Sequence, residues 1–373
     1  MSTANKRKKK RSKGARIALT ALKIFLGVLS FLLVTVLAVA ATLFFAMKLI
    51  CSDISPAARS TFVTTILETG QMKFLASWYL SPEEIQEIVD HNSMGEMTET
   101  VDPGLISIGV GNEGTQRPDD PTKPIEGDIT IEKITGRGSF DATLMIIKDP
   151  SRVSLATIYP WREYGDTLDK IVKDAGAIAG VNAGMYYSSG NKGGRPIGVV
   201  VSNGKIQLNE PEKYKGLVLI GLTSSNLLQI VDIDGKSAKE VEAIIKELDI
   251  RDATTFQEDT SDSNNHFVKL VINGKARELN GQGSGQNPRT VIGQRSDGAL
   301  MLLVTDGRGY KGHIGATAAD LISIMLEYGA VNAANLDGGS SSCMYYEDEF
   351  LMPSVTLYYQ DSSWRLPFAF VVK

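Results

Sequence analysis

Apolar residues are spread along this chain in three different patterns, and each predicts a different kind of element. Between residues 24 and 47 they are nearly continuous, 24 positions without a charge, flanked by Lys23 and Lys48. Roughly 20 such residues cross a bilayer's hydrocarbon core, so the run predicts a transmembrane helix with a lysine at each edge to snorkel. Over residues 53–101 the apolar positions fall at helical spacing. Ser81-Pro82-Glu83-Glu84 offers an N-cap, a proline at the first helical position and an acid at the third, and Ile85, Ile88 and Val89 then form one stripe. This predicts a helical stalk that packs on the domain or on a copy of itself. From about Gly127 the runs become short, β-rich and bounded by turns, at 142–148, 153–159, 197–201, 217–222, 267–272 and 299–304. Three helices interrupt them. Ser237 with Glu240 and Thr317 with Asp320 each read as a capping box ahead of an apolar stripe, and a third helix is expected over 167–175. The pattern predicts an α+β domain, a mixed β-sheet with a few packed helices.

Charge adds a direction to the first helix. The first fifty residues hold ten Lys and Arg and no acid, and such a block is retained on the cytoplasmic side. Residues 1–23 are therefore expected in the cytoplasm, 24–47 as a signal anchor in the cell membrane, and everything beyond outside it. Ala38-Val39-Ala40 offers a small-x-small cleavage pattern, but the apolar run continues past it. Cys51 suggests a lipoprotein, yet Ile50 stands where a lipobox needs a small residue. Residues 48–101 then form the extracytoplasmic stalk. Residues 102–126, with four prolines and no periodicity, form a linker, and 127–373 the domain. The polar stretch 258–265 reads as a surface loop. Past residue 50 there are 29 Lys and Arg against 43 Asp and Glu, a net of −14, which does not suit a nucleic-acid partner. Cys51 and Cys343 make no disulfide framework.

Candidate chemistry sits where apolar strands give way to polar turns, since a strand end holds a side chain rigidly. Four such places occur: Asn182-Ala183-Gly184-Met185-Tyr186, Asn287-Pro288-Arg289-Thr290, Asp306-Gly307-Arg308, and Asn335-Leu336-Asp337-Gly338-Gly339-Ser340-Ser341-Ser342. Singly, each has an ordinary explanation, because Asp-Gly is a common turn signal and an asparagine can tie up local backbone. Together, two carboxylates, two guanidiniums and an amide supply what a phosphodiester site needs. Arginine grips phosphate oxygens in a fork, and two carboxylates in unlike environments can divide acid and base work at a sugar carbon. His313 is a candidate proton shuttle or an ordinary residue of the 309–315 loop.

In that order, the motifs resemble the phosphodiester glycosidase family, that of the mannose 6-phosphate uncovering enzyme and its bacterial relatives, over roughly residues 127–373. The resemblance implies hydrolysis of a sugar-1-phosphodiester between the anomeric carbon and the phosphate oxygen. Asn182, Arg289, Asp306, Arg308, Asp337, Gly338, Gly339 and Ser340 match the family's motif positions; Arg365 and the closing strand 368–372 also resemble its C-terminal end. This chain departs from the family where Ser340 replaces a frequent third glycine, and where Asn-Ala-Gly-Met-Tyr replaces the commoner Asn-Gly-Gly-Tyr-Phe. On this basis Asp337 is expected as general base or nucleophile, Asp306 as its acid or orienting partner, and Arg289 and Arg308 as the phosphate clamp. Asn182, Gly338, Gly339, Ser340, Ser341 and His313 are expected around the substrate. No spacing fixes a metal site; the expectation is no required cofactor, with a divalent cation such as Ca2+ as the open alternative. Expected partners are membrane lipid at residues 24–47 and a sugar-phosphate or glycopolymer of the cell envelope or an exopolysaccharide. The rival class is a non-catalytic glycopolymer-binding or assembly protein using the same cleft. Retention of both acids favours the enzyme, because acids beside a phosphate make a poor binder.

Overall fold

The computed structural model describes residues 13–69, 72–108, 127–258, 266–356 and 361–373. Most of the basic N-terminal block, most of the linker expected over 102–126 and nearly all of the loop expected over 258–265 lie outside them. The chain forms two compact units, the first ending at Phe62 and the second running Val63–Lys373. In the first, Lys13–Ile50 is a single helix, and its stretch Ile17–Ile50 is long and apolar enough to cross a membrane.

Helical spacing over 53–101 is realised as three short helices, Pro56–Leu67, Phe74–Ser77 and Pro82–Asp90, the last with its Ser81/Glu84 capping box formed. Beyond Asp90 the structure departs from the expected stalk. Residues 93–102 are not helical but run along the domain. Met94 bridges Leu279, Met94 and Met97 are buried, the carbonyl of Met97 accepts from Lys269 Nζ at 2.8 Å, and Asp102 N donates to Asn273 Oδ1 at 2.8 Å. The helical stripe ends at Val89, and the segment that follows pairs its backbone with residues 278–280 instead, Gly95 N donating to the Glu278 carbonyl at 2.8 Å and Asn280 N to the Ser93 carbonyl at 2.9 Å.

The α+β class stands, with one refinement: the strands form three sheets, and every strand pairing among the described residues is antiparallel. The seven-stranded sheet runs Ile129–Ile134, Ala142–Ile147, Leu300–Thr305, Thr290–Arg295, Ala330–Asn335, Lys269–Ile272, Lys275–Ala276. A five-stranded sheet runs Glu349–Met352, Met344–Tyr346, Ala179–Asn182, Phe368–Val372, Val153–Thr157, and a second one Lys205–Asn209, Val199–Ser202, Ile250–Gln257, Leu217–Thr223, Leu228–Asp232.

Side-chain alternation explains how three sheets share one domain. Along Leu300–Thr305, Leu300, Leu302 and Val304 enter a central core with Val181 and Phe370 of the second sheet and Val218 and Ile220 of the third. Met301 and Leu303 point the other way, against Leu321, Ile324 and Met325 of helix Ala318–Glu327. Helices Leu168–Asp174 and Ala238–Glu247 cover the outer faces of the other two sheets in the same manner. Each sheet is thus buried on both faces over much of its area, which is why its strands read as unbroken apolar runs rather than alternating ones.

Packing between the second and third sheets is tight at Gly184, where a Cβ would land on the Thr254 side chain and the Thr255 carbonyl, while Met185 N donates to that same carbonyl at 2.9 Å. Gly184→Ala is expected to cost about 1–3 kcal/mol by overpacking. Thermal unfolding of the full chain in detergent checks this, and an unchanged midpoint would contradict the packing described.

Candidate active site

Register alone brings three of the four motifs to one end of the large sheet. Thr290 pairs with Val304, and Val291 with Asn335. The start of strand Thr290–Arg295 therefore lies beside the ends of the strands on both its sides. Asn287-Pro288-Arg289 enters there, while Asp306-Gly307-Arg308 and Asp337-Gly338-Gly339 leave there. The fourth motif ends a strand of a different sheet, Ala179–Asn182.

Asn182 joins the two sheets. It is 1% exposed. Its Oδ1 accepts from Thr290 Oγ1 at 2.7 Å and from Cys343 N at 3.2 Å, and its Nδ2 donates to the Asp337 carbonyl at 2.6 Å. The Asp337 N–H in turn reaches the Ala183 carbonyl at 3.0 Å. The sugar contact expected of Asn182 has no room here, because the amide is enclosed and committed to protein; it acts on the site by fixing where Asp337 emerges.

Asp337 keeps part of its surface open. Burial of the rest pushes its carboxyl up to about 6, against the opposing pull of the Ser341 hydroxyl, the Gly338 N–H and the charge of Arg308. The Ser341 hydroxyl also meets Tyr186 Oη at 2.8 Å. Burial, with the Asp337 charge adding to it, holds the Tyr186 phenol well above its ordinary range. Tyr186, Ser341 and Asp337 thus form a hydrogen-bonded chain in which the phenol stays protonated while the carboxyl gives up its proton above about 6.

Arg308 reaches this turn from the neighbouring strand end. Its own backbone is left-handed, φ 51°, and its guanidinium donates from Nη1 to Ser340 Oγ at 2.7 Å and from Nε to Asn287 Oδ1 at 3.3 Å. It lies across Gly339, where a Cβ would come 2.5 Å from Nη2 and 3.0 Å from Cζ. Gly339 itself has φ 64°, so glycine is required there both for the turn and for the room above it. Ser340 holds Arg308, and Ser341 holds Asp337.

Asp306 is 3% exposed. Its Oδ1 accepts from Asp141 N at 2.9 Å and its Oδ2 meets His313 Nδ1 at 2.8 Å. A carboxylate can only accept, so Nδ1 carries the proton and Nε2 is the nitrogen not held by Asp306. His313, whose side chain is partly exposed, thus has Asp306 as its orienting partner. Asp141, Asp306 and His313 also bring one ligand atom each within 4.8 Å of one another. The donor set suits a hydrogen-bonded dyad better than a hard cation: the Nδ1 facing the acids is protonated, and Ca2+ takes six to eight oxygens.

Arg289 is placed differently from Arg308. Its guanidinium is buried over the Phe267 ring, 4.9 Å from the centroid. Nη2 pairs with Glu68 and donates to Gly285 O at 2.8 Å and Ser284 Oγ at 3.2 Å, while Nε donates to Ala316 O at 3.4 Å. Of the expected phosphate clamp, Arg308 is open and Arg289 is held within the protein. Four further residues belong to this constellation: Tyr186 and Asn287 stand inside the sequence motifs, whereas Asp141 and Glu68 carry no local signal.

Residues 175–373 match the family model described as phosphodiester glycosidase. Among curated proteins, the SPbeta prophage-derived uncharacterized protein YomE of Bacillus subtilis (strain 168) is 44% identical over 66 residues, which is 18% of this chain and 10% of that protein. The match therefore spans about a tenth of the length of that relative. Among solved structures, the zebrafish N-acetylglucosamine-1-phosphodiester alpha-N-acetylglucosaminidase catalytic domain, auto-inhibited by its pro-peptide, is 16% identical at a TM-score of 0.48, covering 65% of this chain and 81% of that one. A hypothetical protein from Synechocystis is 19% identical at a TM-score of 0.40, covering 66% of this chain and 62% of that one.

The raised carboxyl of Asp337 has a cost in stability. Folded, the group keeps its proton up to about 6, whereas its ordinary value is 3.8. Between those values the folded state binds more protons, so stability falls as pH rises through the window. Asp337→Asn, which cannot ionise, is expected to stabilise the protein at pH 7.5 by roughly 1–3 kcal/mol, and to lose that advantage below the window. Thermal melts of both proteins across pH check the sign.

Proposed function

The chain belongs to the phosphodiester glycosidase family, and on that premise we propose that it is a membrane-anchored hydrolase of sugar-1-phosphodiesters, such as N-acetylglucosamine-1-phosphate esters, in cell-envelope glycopolymers or exopolysaccharide. The observation that carries this reading is Asp337: a partly open carboxyl with its pKa near 6, close enough to Arg308 to feel its charge. That pairing gives a group able to act at an anomeric carbon beside one able to hold the departing phosphate.

In the proposed reaction the bond between the anomeric carbon and the phosphate oxygen breaks, its electron pair going to that oxygen. Ionised Asp337 either takes a proton from the water that adds to the carbon, or adds to the carbon itself to give a glycosyl ester that a water then cleaves, returning the free carboxyl. Arg308, steadied by Ser340 and Asn287, takes up the charge developing on the phosphate. His313 in its doubly protonated form gives a proton from Nε2 to the leaving oxygen, and Asp306 stabilises the imidazolium as it waits. Asn182 positions Asp337, Gly338 and Gly339 let the chain turn tightly around it, and the products are the free sugar and a phosphomonoester.

Anchoring is supported by the apolar helix Ile17–Ile50 and by the nine basic residues among residues 1–23. With those residues inside, the domain faces outward and its substrates are those found there. Protease added to intact cells is then expected to remove the domain; full protection would reverse the proposed topology.

The reaction is tested on the full chain in detergent with a panel of sugar-1-phosphodiesters. Release of sugar is expected, with kcat/KM rising as pH increases through about 6 as Asp337 ionises. Asp337→Asn and His313→Ala are each expected to lose about 10²- to 10⁴-fold. Binding without turnover across the panel would instead mark the cleft as that of a glycopolymer-binding protein.

A further inference from the structure

Resting on the reaction proposed above, we infer that Glu68 is a positioning residue of this active site and acts through Arg289. It lies 221 residues before its partner and ahead of the residues that match the family model. The Glu68 side chain is 6% exposed and that of Arg289 9%, so each charge is balanced by the other rather than by water. Oε1 of Glu68 accepts from Gly285 N at 2.6 Å, and Oε2 accepts from Asn287 Nδ2 at 2.8 Å and from Arg289 Nη2. One carboxylate thereby fixes a backbone amide, a side-chain amide and a guanidinium in the turn that delivers Arg289 to the site. Asn287 is also the residue whose Oδ1 accepts from Arg308 Nε at 3.3 Å, so the turn that Glu68 fixes touches both guanidiniums.

The segment carrying Glu68 is built into the domain. Val63 and Leu67 are buried, Gln286 N donates to Thr65 Oγ1 at 3.3 Å, and a Cβ on Gly285 would land on the Thr64 carbonyl. Contacts of that kind place residues 63–68 as part of the site's wall.

Glu68 decides which edge of the guanidinium can meet a ligand. With Nη2 committed to Glu68, Gly285 and Ser284, and Nε to Ala316, Nη1 is the donor of Arg289 left without a protein partner among the described residues. Removing the carboxylate would leave a buried cation uncompensated and free its guanidinium to swing. Arg289 thus comes to the phosphate as one half of a neutral pair that sets direction, and Arg308 brings the net charge.

The test uses the full chain in detergent and a sugar-1-phosphodiester that the wild type hydrolyses. Glu68→Gln is expected to lower kcat about 100-fold, the size of effect that a misplaced catalytic group produces, with KM within about threefold. The double variant Glu68→Gln/Arg289→Gln is expected to be no slower than Arg289→Gln alone, because a residue acting through Arg289 has nothing left to act on. Unchanged or raised activity, or losses that simply add, would overturn the assignment; raised activity would make Glu68 a plug. Thermal unfolding confirms that each variant is folded, and should Glu68→Gln fail to fold, Glu68→Asp is read by the same criteria. If the wild type hydrolyses nothing, the proposed reaction fails, and amide hydrogen exchange decides the role of Glu68 separately. Exchange at residues 284–289 is expected to quicken about tenfold in Glu68→Gln with the remaining core unchanged, and equal exchange there would refute the positioning role.

Discussion

Two sheets of this domain meet at the side chain of Asn182, and the candidate site exists where it does because of that amide. Strand pairing can place Arg289, Arg308 and Asp337 at one end of the large sheet, but pairing within one sheet cannot fix it against another. A buried amide with donors and acceptors in opposite directions can. Bonds to Thr290, to the backbone of Cys343 and to the backbone of Asp337 make the position of the Asp337 carboxyl depend on both sheets together. Enclosed polar groups left unpaired cost roughly 1–3 kcal/mol each, so the junction is specific as well as strong.

Around that junction the charged groups divide their labour by burial. Asp337 and Arg308 remain in partial contact with solvent; Asp306 and Glu68 are enclosed and spend their charge on orienting a neighbour. The open groups are backed by closed ones, His313 by Asp306 and Asp337 by Ser341 and Tyr186, and the buried Arg289 is held by Glu68. A site of this construction needs little rearrangement when charge develops, because its dipoles are already held in place.

Much of this was legible in the sequence, for local reasons. Strands such as Ala142–Ile147 and Leu300–Thr305 stood out because both their faces are buried, and helices Ala238–Glu247 and Ala318–Glu327 because their capping boxes are local signals. Asp337, Arg308 and Arg289 stood out as candidates because each sits in a polar turn directly after or before an apolar run, and strand register brings those turns to one end of the large sheet. What stayed hidden depends on distance along the chain. Nothing around Glu68 hints at Arg289, and nothing around Asp141 hints at Asp306. The separation into three sheets was equally invisible, since an apolar strand looks the same whichever sheet it joins. Asn182 was picked out correctly as a polar strand end, but its enclosure could not be read from its neighbours, so a structural tie was taken for a substrate contact. Residues 91–101 were read as a continuation of the helices before them, although their apolar positions no longer follow the helical stripe.

The docking of residues 93–102 on Lys269, Asn273 and residues 278–280 makes covalent continuity and physical attachment two separate matters. Residues 63–102 are held to the rest of the second unit by the Met94–Leu279 bridge, the Lys269 and Asn273 bonds and the Glu68–Arg289 pair. A peptide bond cut anywhere between 109 and 126 would therefore leave a nicked but assembled domain. Under the proposed anchoring, release of the domain as an intact particle requires a cut on the N-terminal side of Val63.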